Sequence, residues 1–396
     1  MAEKHDYKEL GFKCGLEIHQ QLEGKKLFCK CPTEIRKDNP DFEVKRFLRA
    51  SAGESGKMDM AAEYEHKKEK HFIYKGYEDT TCLLELDEEP PGNVNKEALE
   101  AGLQIAKMLN AKVPEKIIFM RKTVVDGSNT SGFQRTALIG MDGYIEVNKE
   151  KIGIPTICLE EEASQVIERK EEHDVYNLSR LGIPLIEIAT SPDISSPEEC
   201  KEVASKIGMI LRSTGKCKRG IGSIRQDVNV SIKKGARVEI KGFQDLRSIP
   251  KVIDNEIDRQ IKGIGLGKKP EKHVRKAEPD SSTSYLRPMP GADRMYPETD
   301  VPIITPDMKN IKTVKTLDEK KQDMKKRYGL NDDFASTAVS FEEKNDISLE
   351  KIFEKYDKID ASLIVRIITM LPKEIKKRHN LDIDPLKHMD ALKHLH

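Results

Sequence analysis

Aliphatic and polar residues alternate through several short stretches of this chain, and each stretch carries a carboxylate on its polar side. In residues 15–19, Leu16 and Ile18 fall on one face, Glu17 and His19 on the other. In residues 224–232, Arg225, Asp227, Asn229 and Ser231 share a face; in 237–241, Arg237, Glu239 and Lys241 do. Strand side chains alternate with period two, so these stretches predict strands lining one sheet surface with acids, His, Asn, Arg and Lys. Carboxylates gathered without a cation repel and raise one another's pKa. The natural occupant of such a floor is Mg²⁺ with a phosphate-bearing ligand. An antiparallel sheet with one wet face gives the same alternation without any chemistry. Glu17 and His19 fit that reading poorly, because they sit among aliphatics rather than among Lys and Thr.

Helical spacing appears elsewhere. Ala98, Leu99, Ile105, Met108 and Leu109 predict a helix near residues 95–111. Ser196-Pro197-Glu198-Glu199 is a helix start, with the stripe Val203, Ala204, Ile207, Ile210 and Leu211 behind it and Gly215 to end it. Met141-Asp142-Gly143-Tyr144 reads as a hairpin turn, and Lys233-Lys234-Gly235 as the turn of a hairpin over 222–241. A helix over about 250–262 follows, and Gly- and Lys-rich residues 263–283 read as an exposed loop. Beyond residue 306 the pattern is helical and highly charged, with helices near 317–328, 332–342, 348–356 and 360–378. The domains expected are therefore 1–306 and a small all-α domain, 307–396.

Composition narrows the class. A chain of 396 residues calls for more than one core. Charged residues make up 35% and there is no Trp, the profile of a highly charged soluble protein. Lys+Arg (69) and Asp+Glu (68) nearly cancel, so only local patches can signal nucleic acid. No apolar run approaches a membrane span, the N-terminus has no apolar signal core, and seven cysteines fit a reducing compartment; a cytoplasmic protein is expected. There is no P-loop: Gly127 and Gly132 have its glycine spacing, but Phe133 stands where its Lys belongs.

Several ordered segments resemble the GatB/GatE family of tRNA-dependent amidotransferase subunits. They are residues 15–22 (GLEIHQQL), 27–34 (LFCKCPTE), 126–136 (DGSNTSGFQRT), 181–188 (LGIPLIEI), 222–229 (GSIRQDVN) and 237–242 (RVEIKG). The wording of 126–136 is similar to the archaeal E type. The resemblance covers residues 10–305 nearly continuously. It implies an α+β cradle related to glutamine synthetase and guanidino kinases, with a mostly antiparallel sheet. It implies ATP- and Mg²⁺-dependent phosphorylation of the γ-carboxylate of Glu on tRNA(Gln), then amidation to Gln-tRNA(Gln). The ammonia would come from an asparaginase-like amidase subunit (GatD type) in a heterotetramer. Phosphoryl transfer needs positioning and charge neutralisation above all, which an acidic floor with Arg and Lys nearby provides.

On that resemblance Glu17, His19, Glu160, Glu187, Asp227 and Glu239 are the expected metal ligands and catalytic groups, with Glu161 and Glu162 as neighbours of Glu160. Glu187 lies in an aliphatic run, and a buried carboxylate needs a partner. Arg225, Asn229, Arg237 and Lys241 are expected at the nucleotide, or else paired with Asp227 and Glu239. Ser128, Asn129 and Thr130 are expected to orient the substrate, or simply to form a turn. Arg294, Glu298 and Asp300 are further candidates. Two basic patches are candidates for tRNA: Arg212, Lys216, Lys218 and Arg219, and Lys373, Lys376, Lys377, Arg378 and His379. Zinc is not expected. Bacterial members of the B type complete a tetrahedron with a second Cys-x-x-Cys, but here Cys29, Cys31 and Cys82 leave the fourth place to Glu85. E-type members carry an inserted aspartyl-tRNA-synthetase-like domain and a tail domain. Here only residues 263–283 stand in the first place, and the second is expected to be absent. Two other readings compete: a non-catalytic tRNA- or partner-binding module, and a small-molecule carboxylate–ammonia ligase.

Overall fold

The strands pair so that the polar faces of alternating segments from distant parts of the chain fall side by side. The structure, a computed structural model, describes residues 5–48, 69–243, 245–289, 295–345 and 347–384. Two compact units divide it, residues 1–313 and 314–396.

In the first unit the chain runs through β1 (Lys13–Gln21), β2 (Phe42–Arg46), β3 (His71–Gly76) and helix α1 (Lys96–Met108). Then come β4 (Phe119–Thr123), β5 (Phe133–Val147), β6 (Glu150–Glu161), β7 (Gln165–Arg169), β8 (His173–Asn177) and β9 (Pro184–Ala189). Helix α2 (Pro197–Ser213) leads to the hairpin β10 (Ile224–Ser231) and β11 (Val238–Phe243), and α3 (Ile249–Gly265) leads to β12 (His273–Ala277), β13 (Thr283–Pro288) and β14 (Met295–Pro297). Ten strands form one sheet in the order β13-β12-β11-β10-β1-β9-β6-β5-β4-β14. All its pairs are antiparallel except β11–β12, which the α3 crossover makes parallel. A second sheet, β2-β3-β8-β7, packs Phe72, Tyr74 and Tyr176 in its own cluster.

The helices cover the apolar face of the large sheet. Leu16, Ile18, Ile186, Ile188, Val228, Val230 and Ile240 are fully or almost fully buried there, and alternation turns their neighbours Glu17, His19, Glu187 and Asp227 to the other side. Gly102 on α1 lets the helix close on this face, since a Cβ would lie 2.7 Å from Ile139 Cδ1. Both sequence-predicted helix starts hold: the side chains of Asn95 and Ser196 accept from Ala98 N and Glu199 N.

Two local readings are corrected. Residues 141–144 are not a turn; they lie inside β5, and the hairpin turns instead at Asn148–Lys149, both with positive φ (51° and 69°). Asp142 (φ 51°) is a local irregularity where Met141 pairs with Lys112. Residues 263–283 are not all loop, because 273–277 form β12.

The second unit is helical: α4 (Leu317–Tyr328), α5 (Asp332–Asn345), α6 (Leu349–Lys355), α7 (Ala361–Val365) and α8 (Leu371–His379), with a π-turn at 366–370. Thr316 and Glu319 make a capping box, and Leu330, Ala335, Leu349, Ile364 and Ile368 build the core.

Lys149 occupies a left-handed position that costs an L-residue strain. Lys149→Gly should therefore raise stability by about 0.5 kcal/mol in urea denaturation.

Candidate functional site

β1 is the axis of the site. Antiparallel pairing sets Glu17 opposite Asp227 and His19 opposite Arg225 on β10, while on the other side His19 faces Glu187 of β9. Beyond these, Glu239 of β11 lies opposite Asn229, and Glu187 is level with Cys158 of β6, two residues before Glu160. The acidic side chains predicted from separate stretches therefore share one surface. Above it opens a cavity of about 270 Å³ lined by Glu17, His19, Glu160, Glu162, Glu187, Arg225 and Lys241. Lys122, Gln134 and Arg287 line it too.

Cations interleave the acids. His19 Nε2 stands 3.4 Å from Glu17 and 3.3 Å from Glu187. Lys122 Nζ is 2.6 Å from Glu160 and 3.5 Å from Glu187, and Gln134 donates to Glu160 (3.1 Å). Lys241 bridges Asp227 and Glu239, 2.5 Å from each. Arg225 forks onto Glu162 (2.7 and 2.9 Å).

The balance is uneven. Burial, and next the charge of Glu187, push the Glu17 carboxyl up to about 7. Burial also raises Glu160 against the pull of Lys122. Burial works against the charge of Glu187 too, but Lys122 and His19 outweigh it and hold that carboxyl well below the usual range. On His19 burial opposes protonation, yet the Glu187 hydrogen bond and charge win and the pKa rises. Burial disfavours the Glu162 anion as well, but Arg225 and Arg180 hold it at about 2. For Lys241 burial is overcome by Asp227 and Glu239, so its pKa rises above the usual range. Donor atoms of Glu17, His19 and Glu187 lie within 4.8 Å of one another, a spacing that can hold one cation.

Other predicted residues stand elsewhere. Of the acidic run, Glu160 and Glu162 line the cavity, but Glu161 turns away and meets Arg135 (3.3 Å). Arg237 leaves the floor to contact Met289 Sδ (2.7 Å). Asn229 is half-buried between Gly15 and Glu239, outside the cavity lining. Ser128, Asn129 and Thr130 do not line the cavity: Ser128 donates its N–H and hydroxyl to the Asp126 carboxylate, Thr130 donates to the Glu85 carbonyl, and both Asn129 and Thr130 are buried. Their loop is pinned to the small sheet by the hydroxyls of Tyr74 and Tyr176, which donate to the Gly127 and Asp126 carbonyls. Glu298 clamps Arg121 and Arg135, and Asp300 joins Arg121 (3.1 Å). Arg294 lies outside the described residues. Arg212, Lys216 and Arg219 are exposed, and so are the basic side chains of α8; Lys218 donates to the Thr33 carbonyl. Sequence reasoning missed Lys122 and Arg287 in the cavity. Arg287 belongs to the strand-like residues 285–288, but nothing in its spacing says that β13 carries it across to this face.

The cysteine set closes more fully than the sequence suggests. Donor atoms of Cys29, Cys31, Cys82 and Glu85 lie within 4.8 Å of one another. Cys29 donates to Glu85 (3.2 Å), and hydrogen bonds from Cys29 and Cys82 pull the Cys31 thiol down to about 4. Three thiols and a carboxylate are a donor set that can take a thiophilic cation. Lys26, fully buried, already stands 3.2 Å from Glu85 and donates to the Thr80 and Leu178 carbonyls.

An acidic floor threaded with cations, on an α+β scaffold with a large and mostly antiparallel sheet, defines an enzyme centre for strongly charged groups. A family model described as the GatB/GatE catalytic domain matches residues 12–312, and the chain belongs to the GatB/GatE family. It is 38% identical over 531 aligned residues to the E subunit of glutamyl-tRNA(Gln) amidotransferase from Methanococcus maripaludis strain C5, covering 98% of this chain and 84% of that one. The corresponding protein of Archaeoglobus fulgidus is 38% identical over 515 residues (96% and 82%). That of Methanosarcina acetivorans is 58% identical over 261 residues (65% and 41%). The first two alignments are longer than this chain, so those relatives carry internal residues with no counterpart here. Among the described residues no helix is long and apolar enough to cross a membrane.

Two outcomes follow from these charges. Glu17 in the folded chain titrates near 7 against an ordinary value of 4.5, so the native state holds the extra proton and loses stability as pH rises through that window. In metal-free buffer Glu17→Gln should remove this loss and raise the Tm at pH 8 by roughly 2–5 °C, as read by calorimetry. Lys26→Met strands the buried Glu85 and should cost about 3–5 kcal/mol in chemical denaturation.

Proposed function

We propose that this chain is the activating subunit of a glutamyl-tRNA(Gln) amidotransferase and that the acidic cavity is its kinase and transamidase centre. The observation that carries the reading is the convergence of Glu17, His19, Glu160, Glu187, Asp227 and Glu239 on one sheet surface with Lys122, Lys241 and Arg225 between them. The relatives' printed name supplies the substrate.

The step begins with a carboxylate, a poor acyl donor because its leaving group would be oxide. Its γ-oxygen attacks the terminal phosphorus of ATP, the bond to the bridging oxygen breaks, and ADP leaves. Ammonia then attacks the acyl carbon, phosphate departs with its C–O bond, and loss of a proton yields the amide. The chain's part is to bring two anions together and exclude water. Arg287 lines the cavity and makes no ion pair with a carboxylate among the described residues, which leaves it for the polyphosphate. Arg225 and Lys241 line the same cavity, each held in place by its acid partner.

The donors fit Mg²⁺. Carboxylate oxygens dominate, and the donor atoms of Glu17, His19 and Glu187 lie within 4.8 Å of one another. Glu17, Glu187, Asp227 and Glu239 would hold the ions, with His19 beside them. When bound, Mg²⁺ would neutralise the phosphate oxygens that repel the incoming carboxylate. The scaffold proposed is the cradle of glutamine synthetase and guanidino kinases, as domain 1–306 followed by the helical domain. Ammonia would be delivered by an asparaginase-like amidase subunit in a heterotetramer, in the cytoplasm. Ser128, Asn129 and Thr130, outside the cavity lining, would then hold their loop rather than touch substrate.

The test supplies Mg²⁺-ATP, Glu-tRNA(Gln) and ammonium without any partner and looks for Gln-tRNA(Gln). Asp227→Asn and Glu239→Gln should each lower product formation by more than about 10³-fold with the fold retained, while Arg287→Ala should mainly raise the KM for ATP. Binding of tRNA without product would point to a binding module, and ATP turnover with free glutamate to a small-molecule ligase. Loading Glu17 with a cation expels its proton, so Mg²⁺ affinity should strengthen as pH rises up to about 7 and level off above, with proton release visible by calorimetry in two buffers.

A further inference from the structure

A second cavity of about 270 Å³ opens on the sheet face away from the carboxylates. Strand alternation fixes the side. Glu239 and Lys241 belong to the acidic floor, so Val238 and Ile240 face the helices; their partners on β12, His273 and Arg275, follow them, and Tyr285 of β13 lies opposite Arg275. The C-terminal half of α3 and residues 268–271 complete the walls.

The lining combines three kinds of chemistry. Arg259, Lys268, Lys269 and Arg275 bring positive charge, set against Glu271 and the Glu256 carboxylate beneath. Lys268 and Lys269 are exposed and form no ion pair among the described residues. Burial first, and the neighbouring Arg259 next, hold the Arg275 guanidinium below its usual range against the pull of Glu256. Next to these cations Tyr285 is 55% exposed, its ring centroid 5.6 Å from that of His273. Gln260 also lines the cavity at 6% exposure. Its Nε2 donates to Glu256 (3.1 Å), but its Oε1 has no hydrogen-bond partner. That oxygen lies against Gly235, where a Cβ would come within 2.0 Å of it.

We propose that this cavity binds a single nucleotide, free or as part of an RNA strand. The phosphate sits on Lys268 and Lys269, and the base lies against Tyr285 and His273. Cations beside an open aromatic pair are the combination that single-stranded nucleic acid uses, phosphates tracking the charge and bases stacking on rings. A bare phosphate would leave the rings without a partner. The site lies across the sheet from the catalytic cavity and stands whether or not the amidotransferase reading holds.

The experiment titrates the full chain with 5′-AMP by calorimetry and with a short labelled single-stranded RNA by fluorescence anisotropy. Binding of either probe should weaken by about fivefold or more in Lys268→Ala/Lys269→Ala and in Tyr285→Ala, recover in Tyr285→Phe, and stay unchanged in Asp227→Asn. The lysine pair should also flatten the salt dependence of RNA binding, which Tyr285→Ala should not. AMP binding alone would assign the site to a free nucleotide, and RNA binding alone to a strand. Equal affinities in all variants, or no binding of either probe, would overturn the proposal. So would a loss in the lysine variant with none in Tyr285→Ala, since that describes a charged surface without a base site. Amidation with ammonium should persist in all these variants except Asp227→Asn, so a failure here is separable from a failure of the catalytic assignment.

Discussion

Six acidic side chains cannot share a half-buried sheet surface unless positive charge is threaded between them, and the large sheet is arranged around that requirement. Lys241 answers for Asp227 and Glu239, Lys122 for Glu160 and Glu187, and Arg225 for Glu162. His19 stands between Glu17 and Glu187. Each counterion comes from a different strand than at least one of its acids, so the charge balance depends on register. A one-residue slip of β1 against β10 would send Glu17 and His19 into the apolar helix side and break the set. Glu17 is the acid whose carboxyl is pushed up, by burial first and by the charge of Glu187 next.

The same strands carry the core on their reverse. Leu16 and Ile18 alternate with Glu17 and His19, and Val228 and Ile240 with the hairpin acids, so burial under the helices fixes which way the acidic side chains point. Hydrophobic packing supplies the positioning precision here, because no acid can swing out without turning an aliphatic neighbour into solvent. The small sheet and its tyrosines perform a comparable service for the 126–132 loop. Gly127 (φ 87°) passes so close to Phe72 that a Cβ would lie 2.2 Å from its ring, which makes that loop a backbone feature rather than a display of side chains.

Much of this was legible in the residues. Period-two alternation placed Glu17, His19, Asp227, Glu239 and Lys241 on one surface, and the capping signal at Ser196 marked a helix start that the structure keeps. What escaped was of two sorts. Where both residue chemistries were plausible, local pattern misled: Asp142-Gly143 looks like a turn but lies inside β5, while the true turn uses Asn148 and Lys149. Where a residue reaches the site from a distant strand, no local pattern exists at all. Lys122 and Arg287 line the cavity because β4 and β13 are laid into the same sheet, a fact of topology rather than of spacing. The cysteine set was legible as residues, Cys29, Cys31 and Cys82 with Glu85 in the fourth place, and the fold brings their donor atoms within 4.8 Å of one another.

The crossover from β11 through α3 to β12 has a corollary for chain length. Among the described strands of the large sheet it is the one place where the chain must leave one edge of a strand and return alongside it in the same direction, and its outer bend, residues 266–272, is exposed for most of its length. Closing a flexible bend costs only about 0.6 kcal/mol more for each doubling of its length. Added chain at this bend would therefore leave the β11–β12 ladder and the acidic surface across the sheet in place.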